Sequence, residues 1–515
     1  MRKILAMLLA LALLLPAGAA LAETYPLVEE PITVTGVVIH AEGVGEPRLT
    51  WTALEEVTGI HVDWTAVESD AFAVYLAAGE WPDFFHNTME AVHINDYGVL
   101  GEMFVDYTQY LDIMPNLSKT FEEYPDARKV VTETNGAIYQ LPYIEESATT
   151  TTARVYYRED VLDKFGLAVP TTTEEFYDVL VALKENNGGA APLIANVYSG
   201  SYFEPFMYAS FGPSRNPDFE DDGSGAVVFN RTSDQYKHFL EYMNRLYAEG
   251  LLHQEFLTLD GTTSLSLAQE GLGVFMDGIA HSLTEADFES GVCEIGVLAP
   301  LTSEYDDERV VIGCAKCQTG GLVINAASEY VEELCKMFDI LYATEEVVEG
   351  TGLYGQAGCY GPEGGMWAFS NEDHTQYEFI LPEGYEGTTT DYQYDHVIYT
   401  NCGRATALAH AVTSTPGNAQ ARQIGFVNNL IPYQEESVFP ASYLKFTDEE
   451  QAEIDAHYLE IKTYVESMRS QFITGVADIA ADWDAYVQTI EDMGIADVLE
   501  VYQASYDRWN GKTAE

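Results

Sequence analysis

The alternation of strand-like and helix-like segments near the start of the chain constrains the fold most. Residues 32–40 alternate in polarity like a β-strand, and residues 51–58 have a helical pattern that ends at Gly59. Residues 60–64 then predict a second strand, and residues 71–78 a second helix. Parallel neighbouring strands need a crossover connection, which is usually a helix. The order therefore predicts an α/β lobe with a largely parallel sheet.

A similar alternation restarts further along and predicts a second α/β lobe. Residues 154–157 are strand-like, and residues 161–165 form a short helical segment closed by Gly166. The next helix has Thr172 at its N-cap and a glutamate three residues later, which is a capping box. From residue 447 onward the apolar pattern is helical almost throughout. The chain is therefore predicted to form two α/β lobes with a helical C-terminal end.

An acidic segment between these regions has the composition of a calcium loop but lacks its closing ligand. Residues 217–225 hold several acids around Gly223. A calcium loop needs ligands at alternate positions and a glutamate at its twelfth residue. Phe229 occupies that position, so the segment is predicted to be a hairpin turn.

The N-terminus has the three parts of a cleavable secretory signal, residues 1–22. Arg2 and Lys3 supply the positive charge, residues 4–15 are apolar, and residues 20–22 (ALA) match the small-x-small cleavage pattern. The alternative is a membrane anchor, but the apolar run is short of the roughly 20 residues that a span needs. The sequence therefore predicts export.

The charge balance disfavours nucleic acids and anionic membrane surfaces as partners. The chain has 24 Lys and Arg against 83 Asp and Glu, a formal net charge of −59. The predicted signal contains two basic residues and no acid, so its removal takes the charge to −61. Such a surface repels phosphate backbones and anionic lipid, which disfavours nucleic-acid and membrane-surface partners. We interpret the dispersed acids as a solubilising surface.

Motifs of common chemistry are weak or missing in the sequence. The chain has no Gly-x-Ser-x-Gly or His-Glu-x-x-His pattern and no phosphate-binding Gly-x-x-x-x-Gly-Lys-Ser/Thr loop. A lone CxxC could be a redox pair or half of a zinc site, but without a second CxxC an incidental or structural pair is preferred. Carboxylate pairs, as glycosidases use them, are unavoidable among so many acids. The six cysteines, for which spacing fixes no disulfide pairing, are Cys293, Cys314, Cys317, Cys335, Cys359 and Cys402.

Nine short segments, in order along nearly the whole chain, carry a resemblance to a known family. They are residues 51–62, 78–83, 156–167, 170–176, 246–252, 273–277, 361–367, 472–475 and 483–486. The most specific are YYREDVLDKFGL at 156–167 and PTTTEEF at 170–176. Together they resemble the bacterial extracellular solute-binding proteins of ABC importers, in the oligosaccharide-type group related to maltose-binding protein.

The resemblance implies a two-lobed α/β fold of the periplasmic-binding-protein-like type II class, with the ligand cleft between the lobes. The chain would leave the first lobe after residues 143–147, return near 320–327 and cross again near 400–435. The implied parts are residues 23–150 and 319–430 in the first lobe, and residues 151–318 and the helical 431–515 in the second.

The resemblance also implies a function. The chain would capture a sugar or oligosaccharide as a monomer, close around it and deliver it to ABC permease subunits, without a cofactor, metal or catalytic residue. The 12% aromatic content favours sugars, and scarce Lys and Arg disfavour a highly anionic ligand. A peptide or polyamine on the same scaffold, or a secreted carbohydrate-active enzyme, remains as an alternative.

Candidate ligand-binding residues follow from the chemistry of sugars and from the position of loops. Sugars need flat aromatic faces and planar polar side chains, and ligands of α/β folds bind at strand ends. Each candidate also has a structural alternative, such as core packing for Trp367 and Tyr208 or a helix cap for Asp277. The candidates are Trp81, His86, Asn87, Tyr143, Glu145, Tyr202, Tyr208, Asp277, Tyr360, Glu363 and Trp367.

The predicted cleavage point departs from the pattern of the resembling group. Its members from Gram-positive bacteria carry a cysteine there, which is acylated and anchors the protein. This chain has Ala22 and Glu23 at that point, and its first cysteine is Cys293. The sequence therefore predicts export to the cell surface or periplasm without a lipid anchor.

Overall fold

The structure is a computed structural model that describes most of the chain. The predicted signal peptide lies outside the described residues, as do Asn87 and Cys314. Within those residues, every helix is too short or too polar to cross a membrane. The described residues are 25–39, 48–86, 89–145, 153–197, 201–284, 287–288, 293–313, 315–354, 357–385, 387–399, 401–405, 411–435 and 439–512.

The strands of the described residues are mostly short. In chain order they are β1 (Ile32–Ile39), β2 (Ile60–Val67), β3 (Phe84–His86), β4 (Pro142–Glu145), β5 (Tyr156–Arg158), β6 (Phe219–Asp221), β7 (Val227–Phe229), β8 (Phe275–Met276), β9 (Ile295–Val297), β10 (Val311–Ile312), β11 (Cys317–Thr319), β12 (Leu322–Ile324), β13 (Trp367–Phe369), β14 (Gln376–Phe379), β15 (Gly403–Ala405), β16 (Val412–Thr413) and β17 (Gln434–Glu435).

The longest α-helix of the described residues, Asp448–Thr474, lies near the C-terminal end. In chain order the helices are α1 (Leu49–Thr58), α2 (Phe72–Ala78), α3 (Ala91–His93), α4 (Pro115–Glu123), α5 (Pro125–Val131), α6 (Glu159–Phe165), α7 (Thr173–Asn186), α8 (Phe203–Tyr208), α9 (Asp234–Ala248), α10 (Gly261–Gln269), α11 (Val331–Asp339), α12 (Ala357–Tyr360), α13 (Thr389–Tyr392), α14 (Asn418–Asn429), α15 (Asp448–Thr474), α16 (Ile479–Asp492) and α17 (Ile495–Trp509).

The first lobe contains the parallel sheet that the sequence predicts. Its strand order is β12-β3-β1-β2, with β1 parallel to β2 and β3, and β12 antiparallel to β3. Helix α1 packs Trp51, Leu54 and Val57 into the core on one face of this sheet. It ends where Gly59 adopts φ 78°, a left-handed conformation that glycine takes at little cost. The carboxyl ends of β1, β2 and β3 therefore share one edge of the sheet.

The second lobe is built around an antiparallel sheet and the C-terminal helices. Its order is β8-β5-β9, and β5 is antiparallel to both neighbours. Ile461 and Phe472 of α15 and Trp483 and Tyr486 of α16 lie in the same core as this sheet. The predicted helical C-terminal end is confirmed. The acidic segment before Phe229 forms the hairpin β6–β7, as predicted.

A buried group of charges ties the second lobe to its C-terminal helix. The Glu204 carboxylate accepts hydrogen bonds from the Arg231 guanidinium at 2.5 and 3.1 Å and from Arg469 of α15 at 3.3 Å. All three side chains are 1% exposed. Burial alone would lower the pKa of Arg231, but Asp218 and Glu204 hold it well above its usual value. Arg231 therefore stays charged in the folded chain.

Three strands form the sheet at which the chain passes between the lobes. The order of this interlobe sheet is β11-β4-β15, with β4 antiparallel to β11 and parallel to β15. Strand β4 follows the first core, and the next described residue, Ala153, lies in the second core. Strand β11 lies in the segment that connects Ile312 of the second core to Leu322 of the first. Three separate segments of the chain are thus held side by side.

A small third sheet, β13-β14-β16, lies between parts of both lobes. Its core packs against Leu49 of α1, and Tyr377 accepts a hydrogen bond from Gln423 of α14 at 2.7 Å. Helix α14 itself belongs to the second lobe, because Phe426 and Leu430 lie in the second core. The predicted return segment of the first lobe, residues 319–430, includes this helix, and its boundary stays a prediction.

Candidate functional site

A cavity of about 300 Å³ in the second lobe brings two of the predicted residues together. Tyr202 lies directly before α8, and Asp277 directly follows β8. Both line the cavity, together with Asn196, Ser201 and Ser282. The lining is rich in side chains that donate and accept hydrogen bonds, which suits a ligand with hydroxyl groups.

Arg154 organises the polar side of this cavity. Its guanidinium lies 3.8 Å from the centre of the Tyr202 ring, a cation–π contact on one ring face. Asp277 is 5% exposed, and its carboxylate accepts a hydrogen bond from the Asn196 backbone at 3.3 Å. Burial raises the pKa of Asp277, while that hydrogen bond and Arg154 act in the opposite direction. The Asp277 carboxylate is therefore held in a fixed orientation in which it can accept hydrogen bonds.

A neutral histidine lies next to this cavity and was missed by sequence reasoning. Arg422 of α14 donates to His281 Nδ1 at 2.8 Å, and His281 Nε2 lies 2.8 Å from the Tyr156 hydroxyl. Since arginine has no acceptor, Nδ1 accepts and Nε2 carries the hydrogen that it donates to Tyr156. Burial, Arg422 and Arg154 lower the pKa of His281 to about 2. These residues come from distant segments of the chain, and no local sequence motif indicates them.

His281→Gln is expected to flatten the loss of stability at acid pH. An unfolded histidine ionises near 6.5, whereas folded His281 has a pKa of about 2. The folded state therefore binds fewer protons, and stability falls as pH falls below about 6.5. Urea unfolding at pH 7.5 and 5.5 should show the wild type losing about 1 kcal/mol more than the variant. Equal losses in the two proteins would contradict this assignment.

An aromatic group lies towards the carboxyl end of the first-lobe sheet. Trp64 of β2 is half-buried, with ring centres 4.9 Å from Trp51 and 4.8 Å from Tyr399. The Arg48 guanidinium lies 4.6 Å from the centre of the Tyr399 ring. This is the edge at which ligands of parallel α/β sheets bind. Trp64 is the member with exposed surface that is best suited to stacking on a sugar.

His86 packs against two tryptophans of this aromatic group. It ends β3, is fully buried, and its ring centre lies 5.4 Å from that of Trp51 and 5.9 Å from that of Trp64. Its position at a strand end agrees with the expectation, but its burial makes it a support for Trp64. Asn87, the neighbouring candidate, lies outside the described residues.

Three further candidates meet at the interlobe sheet. The Tyr143 hydroxyl donates to the Glu145 carboxylate and lies 3.6 Å from Cys359 Sγ. Tyr360 packs into the same cluster. Burial, followed by Cys359 and Glu145, raises the pKa of Tyr143 well above its usual value. The structure thus brings Tyr143, Glu145 and Tyr360 together beside a crossing of the chain.

Three other candidates have contacts within their own surroundings. Tyr208 is fully buried in the second core. Trp367 is also fully buried, and its indole N–H donates to the Gly361 carbonyl at 3.1 Å. Glu363 accepts a hydrogen bond from the Phe369 backbone at 3.3 Å within its own turn. These contacts agree with the structural alternative for each residue, and their ligand contact stays a prediction.

Trp81 lies at the edge of the first-lobe sheet opposite the one that the carboxyl ends of the parallel strands form. It precedes β3, whereas the cleft edge is formed by the carboxyl ends of the strands. Its indole N–H donates to the Leu76 carbonyl at 2.9 Å, and its ring stacks on Phe104 at 5.5 Å. These contacts are those of a residue that covers the sheet end, and the ligand contact of Trp81 stays a prediction.

Trp81→Phe is expected to lower stability without changing ligand affinity. The phenyl ring keeps the stacking on Phe104 but loses the hydrogen bond to Leu76, which is worth about 1 kcal/mol. Chemical unfolding measures the first effect, and a titration of the folded variant measures the second. A loss of affinity in a fully folded variant would show instead that Trp81 contacts the ligand.

Four described cysteines are buried free thiols, namely Cys293, Cys335, Cys359 and Cys402. Burial raises the pKa of Cys293 to about 11 and those of Cys335 and Cys402 to about 12. Thiols of this kind are unreactive near neutral pH. The CxxC motif includes Cys314, which is outside the described residues.

Comparison with known proteins gives one consistent class. The fructooligosaccharide ABC transporter substrate-binding protein FusA of Streptococcus pneumoniae is 26% identical over 487 residues, which is 90% of this chain and 87% of FusA. The structure of FusA with kestose has a TM-score of 0.72 at 22% identity and covers 93% of this chain and 100% of that chain. An HMO-binding solute-binding protein from Bifidobacterium longum infantis has a TM-score of 0.71 at 19% identity, covering 93% and 99%.

A family model described as bacterial extracellular solute-binding protein matches residues 41–348. This range includes β2 to β12 and therefore much of both lobes and two strands of the interlobe sheet. The order of motifs, the two cores and the three crossings agree with this match. The chain belongs to the bacterial extracellular solute-binding protein family.

Proposed function

We propose that the chain is the substrate-binding component of an ABC importer and captures a neutral oligosaccharide between its lobes. The observation that carries the proposal is the second-lobe cavity, which both Tyr202 and Asp277 line. The oligosaccharide class of ligand agrees with the printed descriptions of FusA and the HMO-binding relative. The sugar would then pass to a membrane permease.

The chemistry of the cavity suits sugar hydroxyl groups. Each hydroxyl donates one hydrogen bond and accepts others, so it needs both kinds of partner. Asp277 supplies acceptors, Ser201 and Ser282 supply both kinds, and Asn196 supplies an amide. The open part of the Tyr202 ring offers an apolar surface to sugar C–H groups. Arg154 balances Asp277, which favours a neutral ligand over a polyamine.

We propose residues 23–145 and 320–354 as the first lobe, and residues 153–313 and 418–515 as the second. The burial of Phe426 and Leu430 in the second core supports the shift of α14 to the second lobe. The interlobe sheet would act as the hinge, since all three of its strands lead from one core towards the other. Binding would favour the closed arrangement only by the difference in affinity between closed and open forms.

We also propose that the exported chain acts as a monomer and releases its ligand unchanged. The membership of a binding-protein family supports capture over turnover. A purified protein that cleaved an oligosaccharide, and lost this activity when one carboxylate was replaced, would favour the enzyme alternative.

A thermal-shift screen tests the proposed ligand class. The mature protein is heated with neutral oligosaccharides, short peptides and polyamines, each in excess. A ligand that binds only the folded state raises the melting temperature, by about 2.7 kcal/mol of stability at a hundredfold excess over Kd. We expect a shift with at least one oligosaccharide series. A shift with polyamines or peptides alone would contradict the proposal.

A further inference from the structure

Three side chains with metal-binding atoms meet at an exposed contact between two C-terminal helices. Glu453 and His457 are four residues apart on α15, so they lie on the same face of that helix. Asp497 lies in the first turn of α17. One imidazole nitrogen and one oxygen of each carboxylate all lie within 4.8 Å of one another. Two helices therefore present a histidine and two carboxylates to a common point.

A backbone carbonyl fixes the orientation of His457. Its Nδ1 lies 2.9 Å from the Met493 carbonyl oxygen, and since a carbonyl only accepts, Nδ1 carries the hydrogen. In the neutral ring the lone pair is then on Nε2, which is the nitrogen that faces Glu453 and Asp497. Metal-binding histidines usually have this arrangement, in which one nitrogen donates to a carbonyl or carboxylate and the other binds the ion.

Gly494 leaves the space that the His457 ring needs. It precedes α17 with φ 92°, and a Cβ at this position would lie 2.7 Å from His457 Nδ1. A larger residue would therefore push the ring away from the Met493 carbonyl. The turn at residues 493–497 thus supplies the orienting carbonyl, the space for the ring and one of the carboxylates.

The distances between these atoms fit a metal ion better than a proton. His457 Nε2 lies 3.3 Å from Glu453 Oε1 and 3.9 Å from Asp497 Oδ2. A charge-assisted N–H···O hydrogen bond is about 2.7–2.9 Å long, so a protonated ring should lie closer to one of the carboxylates. Two ligands of a tetrahedral zinc ion with bonds of about 2.1 Å are roughly 3.4 Å apart. The Glu453 distance matches this separation, and a small rotation of the Asp497 side chain would bring the other distance to it.

The two carboxylates also call for a positive charge. Within the part of the chain that the structure describes, the ion-pair contacts of Glu453 and Asp497 are to His457 and to no lysine or arginine. Next to a neutral ring, two negative charges therefore stand together without compensation, and a divalent cation would balance them. Their side chains are 47% and 56% exposed, so an ion can reach both from solvent.

We propose that Glu453, His457 and Asp497 bind one divalent transition-metal ion of the zinc class, which joins α15 to α17. Imidazole suits such ions, whereas Ca²⁺ and Mg²⁺ prefer oxygen ligands. Three protein ligands leave a fourth position, which water can occupy. The family resemblance implied no metal, but this cluster lies beyond residues 41–348, which the family model matches. The proposal is therefore independent of the oligosaccharide ligand.

Calorimetric titration of the mature chain, without a polyhistidine tag, with ZnCl₂ tests this proposal. Excess NaCl and MgCl₂ suppress general attraction of cations to the acidic surface. The wild type should bind one Zn²⁺ at this site. Asp497→Asn and Glu453→Gln should each weaken binding by more than about tenfold, since loss of even an orienting partner costs roughly 10- to 100-fold. His61→Ala is the matched control, because His61 pairs with the single carboxylate of Glu55 at 2.8 Å and should leave Zn²⁺ binding unchanged.

Two further measurements identify the site and its effect on the helices. Co²⁺ in place of Zn²⁺ should give the visible absorption of a four-coordinate ion in the wild type, and Asp497→Asn should lose it. Added Zn²⁺ should slow amide hydrogen exchange in the first turn of α17 in the wild type and in His61→Ala only. Circular dichroism verifies that the variants fold. A wild type that binds no Zn²⁺, or equal binding by the wild type and both folded carboxylate variants, would overturn the proposal and leave the proposed function untouched.

Discussion

Tyr202→Ala is expected to weaken oligosaccharide binding by about 2–4 kcal/mol, since buried aromatic anchors dominate binding energies. This corresponds to a loss of affinity of roughly 30- to 1,000-fold. Tyr202 lines the cavity of the candidate site, so its removal deletes ring surface there. It also leaves the Arg154 guanidinium without the ring that it covers at 3.8 Å. Titration calorimetry with the best oligosaccharide of the thermal-shift screen measures the effect.

The matched control for this prediction is another tyrosine of the second lobe. Tyr305 is 46% exposed and stacks on His238 at 3.9 Å, but it does not line the cavity of the candidate site. Tyr305→Ala should keep the wild-type affinity. If Tyr202→Ala binds as tightly as Tyr305→Ala while both are folded, Tyr202 does not contact the ligand, and the proposed location of the site is wrong.

Glu204→Gln is expected to lower the free energy of unfolding by about 3 kcal/mol, because it leaves buried arginine charge without its partner. The carboxylate is shared by Arg231 and Arg469, and all three side chains are 1% exposed. Asp218 still lies 2.8 Å from Arg231 in the variant, which keeps the loss at the lower end for a broken buried pair. Urea unfolding monitored by circular dichroism measures it.

An exposed ion pair of the same lobe provides the comparison for Glu204. Glu174 lies 2.7 Å from Arg245, and the two side chains are 66% and 38% exposed. Glu174→Gln should change stability by less than about 1 kcal/mol, as is usual for pairs in water. Similar small losses in both variants would mean that the Glu204 group adds little to the attachment of α15.

The first-lobe sheet was predictable because its signals are local. Each strand is followed by a helix in the next stretch of sequence, and Gly59 ends α1 by a left-handed conformation that glycine adopts easily. The sheet of the second lobe was not predictable in the same way. Strand β5 pairs with β8 and β9, which come more than a hundred residues later. Local patterns predict a strand but carry no information about such distant partners.

The candidate site was partly predictable for a related reason. Tyr202 and Asp277 were predicted as candidates because they lie next to a helix start and a strand end, where ligands bind. Trp81 failed the same rule, since it precedes its strand. Trp64 was overlooked because β2 extends past it to Val67, so it lies within the strand. Its exposure depends on packing, which a single sequence does not reveal.

The polar group around His281 shows the limit of motifs most clearly. Tyr156, His281 and Arg422 meet within hydrogen-bond distance, although they are more than a hundred residues apart in the chain. Each residue type is unremarkable at its own position. Only the packing of α14 on the second core brings them together. Predicting this group would have required knowing that β5 packs against α14 in the folded chain.

Titration calorimetry of the mature chain with a neutral tetrasaccharide, followed by mass spectrometry of the recovered sugar, tests the central claim most directly. We predict a single binding site per chain and a tetrasaccharide that is recovered intact, for the fructan or the maltodextrin series. Heat of binding from polyamines or peptides but from no oligosaccharide, or a tetrasaccharide recovered as shorter products, would contradict capture of a neutral oligosaccharide by this protein.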